Sequence, residues 1–240
     1  MKHRFHILIT TFLLIACGLP TTAVAANSKD APQSKARKKK TKKVDPALPM
    51  VLILGDSISM GYTSFVRQEL AGKANILHNP GNSQGTTHTL KQLDQWLAMQ
   101  EWDVIHFNLG LHDLKRVKVA GTSENSNDPK DPQQADLATY TANLAAIVGK
   151  LKASKAKLIF ATTTPYPAGV KPHRAPEDAV SYNTAAVAIM KQHDIPVNDL
   201  YSLVLPELKT LQKPVNVHFH AAGSKKMASQ VAAAITAALN

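Results

Sequence analysis

Val51-Leu52-Ile53-Leu54-Gly55-Asp56-Ser57-Ile58-Ser59-Met60-Gly61 is the stretch that decides how this chain is read. Four consecutive apolar residues, Val51 to Leu54, have the pattern of a strand buried on both faces. Gly55 ends the run, and Asp56 and Ser57 stand at its carboxyl end. A helix is expected from about Ser59, carrying Phe65, Val66 and Leu70. A serine at such a strand-to-helix turn can present its hydroxyl at the top of a parallel sheet. The N–H groups of the helix start lie close by and can receive an oxyanion. Glycine, aspartate and serine are also ordinary turn residues, so the tripeptide gains meaning only from its surroundings.

Those surroundings alternate. Strand-like stretches follow at 74–78, 104–109, 157–162 and 195–197. Between them lie helix-like stretches: 62–72, the group Leu90, Leu93, Trp96 and Leu97, a long amphipathic run from Leu137 to Leu151, and 179–191. An alanine-rich helix over 221–239 closes the chain, and a polar segment, Gly121 to Gln134, reads as an excursion loop. Five strands alternating with helices predict an α/β fold, a three-layer α/β/α sandwich around a flavodoxin-like five-stranded parallel sheet. In such folds the ligand sits outside the carboxyl ends of the strands.

The net charge of +11 belongs mostly to one end. Residues 1–43 hold ten of the 28 lysines and arginines but one of the 17 acidic residues. The run from Lys35 to Lys43 repels itself and reads as a solvated linker, with weak contact to an anionic surface as its alternative. No aromatic residue is interleaved with these charges, which argues against a specific nucleic-acid module. Ahead of it, Lys2 and Arg4, an apolar stretch from Ile7 to Leu19, and Ala23-Val24-Ala25 have the form of a cleaved export signal. Leu14-Ile15-Ala16-Cys17 offers a second reading, a lipid anchor on Cys17. The organisation expected is a signal peptide over 1–25, a basic linker over 26–47 and one catalytic-type domain over 48–240, exported to the periplasm or secreted. Cys17 is the single cysteine, so the domain itself has no disulfide and no thiolate metal site.

The strand ends carry the chemistry. Asp56 and Ser57 follow the first strand. Asn79, Gly81, Asn82 and Gly85 follow the second. Gly110, His112 and Asp113 follow the third. Thr162 to Tyr166 follow the fourth, on a segment that leads to Arg174, a side chain suited to a carboxylate or sugar oxygen. Val217-His218-Phe219-His220 precedes the closing helix. Acyl transfer needs a nucleophile, a base and oxyanion donors. Ser57 is the candidate nucleophile and His218 the candidate base, because imidazole titrates near neutral pH. Gly81 or Gly85 would let a backbone N–H approach a substrate, and a neutral His112 could donate another. Asp56 reads as a turn brace. The remaining histidines show no metal-ligand spacing.

The four blocks in this order resemble the SGNH (GDSL) hydrolase family across residues 50–240. Gly55-Asp56-Ser57-Ile58 matches the first block and implies Ser57 as the nucleophile. The family's oxyanion glycine maps to Gly85 or Gly81. The third block, normally Gly-x-Asn-Asp, is Gly110-Leu111-His112-Asp113, so His112 replaces the oxyanion asparagine. The last, normally Asp-x-x-His, is Val215-Asn216-Val217-His218, so the aspartate is lost. In serine-protease triads, replacing the aspartate by asparagine lowers turnover by about 10⁴. Here Asn216, Asp113 or a main-chain oxygen would have to orient His218. The resemblance implies a serine esterase, acting without metal or cofactor on an ester of a small molecule or polysaccharide, O-acetyl carbohydrate among them. The competing reading is a weakened member of the fold that binds carbohydrate or cell-envelope material. Neither reading sets the oligomeric state.

Overall fold

A computed structural model describes residues 44–240. The expected export signal, Cys17 and the lysine-rich run lie outside the described residues. The first strand, β1 (Met50–Leu54), leads through Gly55 and Asp56 into α1 (Ser57–Glu69), and β2 (Asn75–His78) follows. Next come α2 (Thr86–Leu97), β3 (Val104–Phe107), α3 (Leu137–Ala153), β4 (Lys157–Ala161) and α4 (Pro176–Gln192). A two-residue edge strand, β5 (Val197–Asn198), precedes α5 (Leu200–Val204), a 3₁₀ turn over Leu205–Glu207, α6 (Leu208–Leu211) and α7 (Ala221–Leu239).

All five strands are parallel, in the order β2-β1-β3-β4-β5. Right-handed crossovers then place α1 on one face and α2, α3 and α4 on the other. The packing agrees: α1 lies against α7, α2 against α3, and α3 against α4. The three-layer architecture expected from the sequence is what the chain adopts. Val51 to Leu54 and the whole of β3 are buried, the signature of a sheet covered on both faces. In α3, Tyr140, Leu144, Ile147, Val148 and Leu151 fall on one stripe and enter the core.

Strand order reverses between β1 and β3, and a crevice opens there at the carboxyl edge. The turn after β1 is built tightly at that point. Gly55 N–H donates to Asn79 Oδ1 at 2.8 Å, and Ser83 N–H donates to the Gly55 carbonyl at 3.0 Å. The loop after β2 is thereby strapped to the turn after β1. Asn108, just beyond β3, packs over the same spot. A Cβ on Gly55 would lie 2.0 Å from Asn108 Oδ1 and 2.7 Å from Ser59 Oγ.

Several element boundaries differ from the sequence reading by a few residues, and two of the differences have a clear local cause. The helix α1 starts at Ser57, two residues early, because Asp56 caps it: Asp56 Oδ1 accepts from Ile58 N–H at 2.9 Å. The strand expected over 195–197 pairs only at Val197 and Asn198, since Pro196 has no N–H to offer a ladder.

Gly55→Ala is expected to destabilise the domain by about 2–3 kcal/mol, an overpacking penalty at a site with no slack. Adding Asn108→Ala should return part of that loss. Urea unfolding of the single and double variants is the measurement, and additive losses would contradict the packing account.

Candidate active site

Ser57 is the first residue of α1, placed at the helix start by the Asp56 cap. Its backbone N–H has no intrahelical partner at this position. Asp56 is fully buried, and burial raises its carboxyl above the ordinary value despite the helping bonds from Ile58 and Asn108. It braces the turn, accepting at 3.3 Å from Asn108 Nδ2.

Across the crevice, Ser57 Oγ stands 2.8 Å from His218 Nε2. His218 belongs to a loop held from behind. Lys213 N–H donates to the His218 carbonyl at 2.9 Å, and His220 N–H to the Leu211 carbonyl at 2.8 Å. The buried side chain of Gln212 bridges the carbonyls of Pro165 and Val217 at 2.9 and 3.0 Å. Gln212 carries no catalytic signature in the sequence, and its role emerges only from these contacts.

The other ring nitrogen of His218 has its own partner. His218 Nδ1 lies 2.8 Å from Asn216 Oδ1, and the backbone N–H of His218 donates to the same oxygen at 2.9 Å. A main-chain N–H can only donate, so the Asn216 atom facing it must be the amide oxygen. That oxygen also faces Nδ1, so Nδ1 carries the ring proton and Nε2 presents its lone pair to Ser57. An asparagine that could flip would offer its NH₂ group and leave the wrong tautomer. Here the neighbouring N–H locks it. Val215, at the family's aspartate position, is 61% exposed with φ of 48° and has no polar atom to contribute.

Asp113 does not orient His218, which corrects that alternative. Its Oδ1 accepts from Thr86 N–H at 2.8 Å and from Thr86 Oγ1 at 2.5 Å, pinning the start of α2 to the loop after β3. Burial pushes the Asp113 carboxyl up to about 7, against the opposing pull of Thr86.

Of the two glycines, Gly85 takes the buried position beside this loop. A Cβ there would lie 3.0 Å from Asp113 Oδ1, so the close approach of the two loops favours glycine. Its N–H, like that of Ser57, is bonded to no protein acceptor among the described residues. Gly81 sits in an exposed left-handed turn, φ 69°, with its carbonyl taken by Asn79 Nδ2. The oxyanion alternatives therefore separate in favour of Gly85. His112 is half-buried beside Asp113. Burial, with the charges of Arg174 and Lys115, holds its imidazole down to about 3, so it stays neutral and keeps one N–H to donate.

A base against a serine hydroxyl, free N–H groups at two helix starts and a neutral imidazole form the equipment of acyl transfer. The comparisons with known proteins point the same way. Residues 53–226 match the model of the GDSL-like lipase/acylhydrolase family. A comparison with curated protein sequences finds no match. Among solved structures, a lipase/acylhydrolase from Enterococcus faecalis superposes with a TM-score of 0.64 at 20% identity, covering 79% of this chain and 96% of that one. An acetyl xylan esterase gives 0.63 at 14% identity, covering 78% and 99%. A GDSL-like lipase from Bacteroides thetaiotaomicron gives 0.62 at 20% identity, covering 79% and 88%. At these identities the structures speak for the fold.

Asp113 generates a stability prediction. Its folded value of about 7 exceeds the ordinary 3.8, so the folded state binds the proton more tightly. This contribution is full below about pH 4 and is lost as pH rises through about 7. Asp113→Asn mimics the protonated side chain. It should reduce the fall in unfolding free energy between pH 4.5 and 8 by on the order of 2–4 kcal/mol. Urea titrations at the two pH values check this.

Proposed function

The chain belongs to the GDSL-like lipase/acylhydrolase family, and on that premise we propose that it is an exported serine esterase whose Ser57 and His218 cleave a carboxylic ester through an acyl-enzyme. The observation that carries the reading is the pairing of Ser57 Oγ with His218 Nε2 at 2.8 Å while Asn216 holds the opposite ring nitrogen.

In the proposed reaction Ser57 Oγ attacks the ester carbonyl carbon as its proton passes to His218 Nε2. The negative charge that develops on the carbonyl oxygen is received by the N–H groups of Ser57 and Gly85, with His112 as a third donor. His218 then returns its proton to the departing alcohol. A water molecule, deprotonated by Nε2, attacks the acyl-Ser57 carbonyl. The acid leaves, and Ser57 recovers its proton from His218. No step in this sequence requires a metal or a cofactor.

His218 is exposed and Ser57 half-buried, so an ester reaches the pair directly from solvent. An acetyl ester of a carbohydrate is the proposed substrate, and the fold-level likeness to an acetyl xylan esterase supports it. The export proposal rests on the charged, apolar and small-residue pattern of residues 1–25. The hydrogen-bonded dyad favours the enzyme over the alternative of a fold kept for binding alone.

Ser57→Ala is expected to abolish hydrolysis of 4-nitrophenyl acetate and of acetylated sugars while leaving the unfolding curve close to wild type. A phosphonate probe should label Ser57 in the wild type, and absence of labelling together with absence of turnover would favour the binding reading.

Asn216 gives a second test. Burial, with the charges of Lys213 and Arg174, lowers the His218 imidazole below 6.5, so the acid limb of kcat/KM should have its midpoint below that value. Asn216→Asp places a carboxylate against Nδ1 and should move the limb to higher pH. Asn216→Ala should lower kcat by about 10²-fold or more, the order associated with general-base catalysis. A limb that ignores both changes would remove Asn216 from the mechanism.

A further inference from the structure

Arg174 carries a charge that the reaction above does not use. The residue is 4% exposed, yet it forms no ion pair among the described residues. Two of its five N–H groups are engaged: Nε donates to the Leu111 carbonyl at 2.8 Å and Nη1 to the Pro172 carbonyl at 3.1 Å. Nη2 donates to no protein atom among the described residues and is not sealed from solvent. Leu111 immediately precedes His112, so the guanidinium rests against the loop that carries the proposed oxyanion donor.

A second cation shares this rim. Lys115 is 7% exposed and donates from Nζ to Asn125 Oδ1 at 2.7 Å, again with no carboxylate partner among the described residues. The excursion loop brings the two together. Arg116 N–H donates to the His173 carbonyl at 2.8 Å, and His173 N–H to the Ser126 carbonyl at 2.9 Å. The positive charge of Arg174 reaches the ring of His112, the ring of His218 and the ammonium of Lys115, lowering all three. Its carboxylate neighbour is Asp56, too distant for an ion pair and already engaged by Ile58 and Asn108.

Burying a charge without a counter-ion is unfavourable by several kcal/mol per ion. A fold that keeps two such cations beside the loop of the proposed oxyanion donor His112, one with an open planar fork, is arranged to receive an anion there. We propose that the preferred substrate is an anionic ester, one bearing a carboxylate that docks on Arg174 with Lys115 supplying the second positive charge, as an O-acylated acidic sugar would. This inference rests on the serine-esterase reading and narrows its substrate class. The carboxylate can belong to the acyl part or to the alcohol part, and the test has an arm for each.

The acyl arm compares the mono-4-nitrophenyl ester of succinate with its methyl-capped form. The alcohol arm compares 4-acetoxybenzoate with its methyl ester. Each kcat/KM is normalised to the hydroxide-catalysed rate of the same compound. The wild type should favour the anionic member by about 10-fold or more in at least one arm, as expected of a charge-assisted hydrogen bond. Arg174→Met should bring that ratio to about one, and Arg174→Lys should keep part of it. Loosening of the Leu111–His112 loop lowers both members of a pair, so a merely structural role leaves the ratio unchanged. If Arg174→Met fails to fold, Lys115→Met should still reduce the ratio several-fold. Hydrolysis of all four esters without preference in the wild type, or a preference that survives Arg174→Met, overturns the anion site and leaves the esterase standing. No turnover of any ester overturns both.

Discussion

Every functional position in this molecule is referred to the turn at Gly55. Here the backbone of β1 must leave the sheet with Asn108 lying where a side chain would go. The turn also donates to Asn79 and accepts from Ser83. One residue without a Cβ thus joins three of the segments that meet at the carboxyl edge. The contact fixes where Asp56 falls, Asp56 fixes where α1 begins, and the helix start fixes the Ser57 hydroxyl and its N–H. Interiors packed at crystal-like density respond to added volume by moving backbone. At this turn, backbone movement would displace Ser57, the loop after β2 and the loop after β3 together.

The replacement of the family's aspartate is less damaging in this setting than the protease analogy suggests. The usual harm of an asparagine lies in its freedom to present nitrogen rather than oxygen to the ring. In Asn216 that freedom is removed by the N–H of His218 itself, two residues along the chain. Such a local side-chain-to-backbone bond is the ordinary habit of asparagine in turns. The tautomer is therefore secured by local geometry. What the amide cannot supply is the negative charge that stabilises an imidazolium.

The sheet was legible in the sequence because parallel strands buried on both faces are continuous apolar runs, and Val51–Leu54 is one. The closing helix was legible because alanine-rich sequence after a histidine loop leaves little alternative. The start of α1 was misplaced because Ser57 and Ser59 are both acceptable helix-start residues, and Asp56 decides between them only through its bond to Ile58. The short helices over 200–211 are each too brief to show a period in the sequence. The order of the motifs along the chain points to Ser57 and His218, which the fold brings within 2.8 Å of each other. The choice between Asn216 and Asp113, and between Gly85 and Gly81, depended on where loops fold, which residue spacing does not encode. Asn79, Asn108 and Gln212 had no signal, since their work is to hold main-chain groups belonging to other segments.

The electrostatics of the site form one consistent arrangement. Partial burial, then Lys213 and Arg174, disfavour a charged His218, and Asn216 brings no negative charge to offset them, so the imidazole is a weaker base than one paired with aspartate would be. That ring remains neutral, and so competent to accept a proton, to lower pH. The same positive surroundings act in the opposite sense on the other charge of the proposed reaction. Arg174 rests against the loop that carries His112, and Arg174 and Lys115 both act on that ring, so a negative charge developing beside His112 is favoured. A carboxylate at position 216 would strengthen the base and at the same time weaken the field that favours the oxyanion. The two departures from the family pattern, His112 for the asparagine and Val215 for the aspartate, are thus linked by Arg174, whose charge acts on both His112 and His218. In the proposed reaction, stabilisation would rest less on the imidazolium and more on the oxyanion, where preorganised donors have their largest effect.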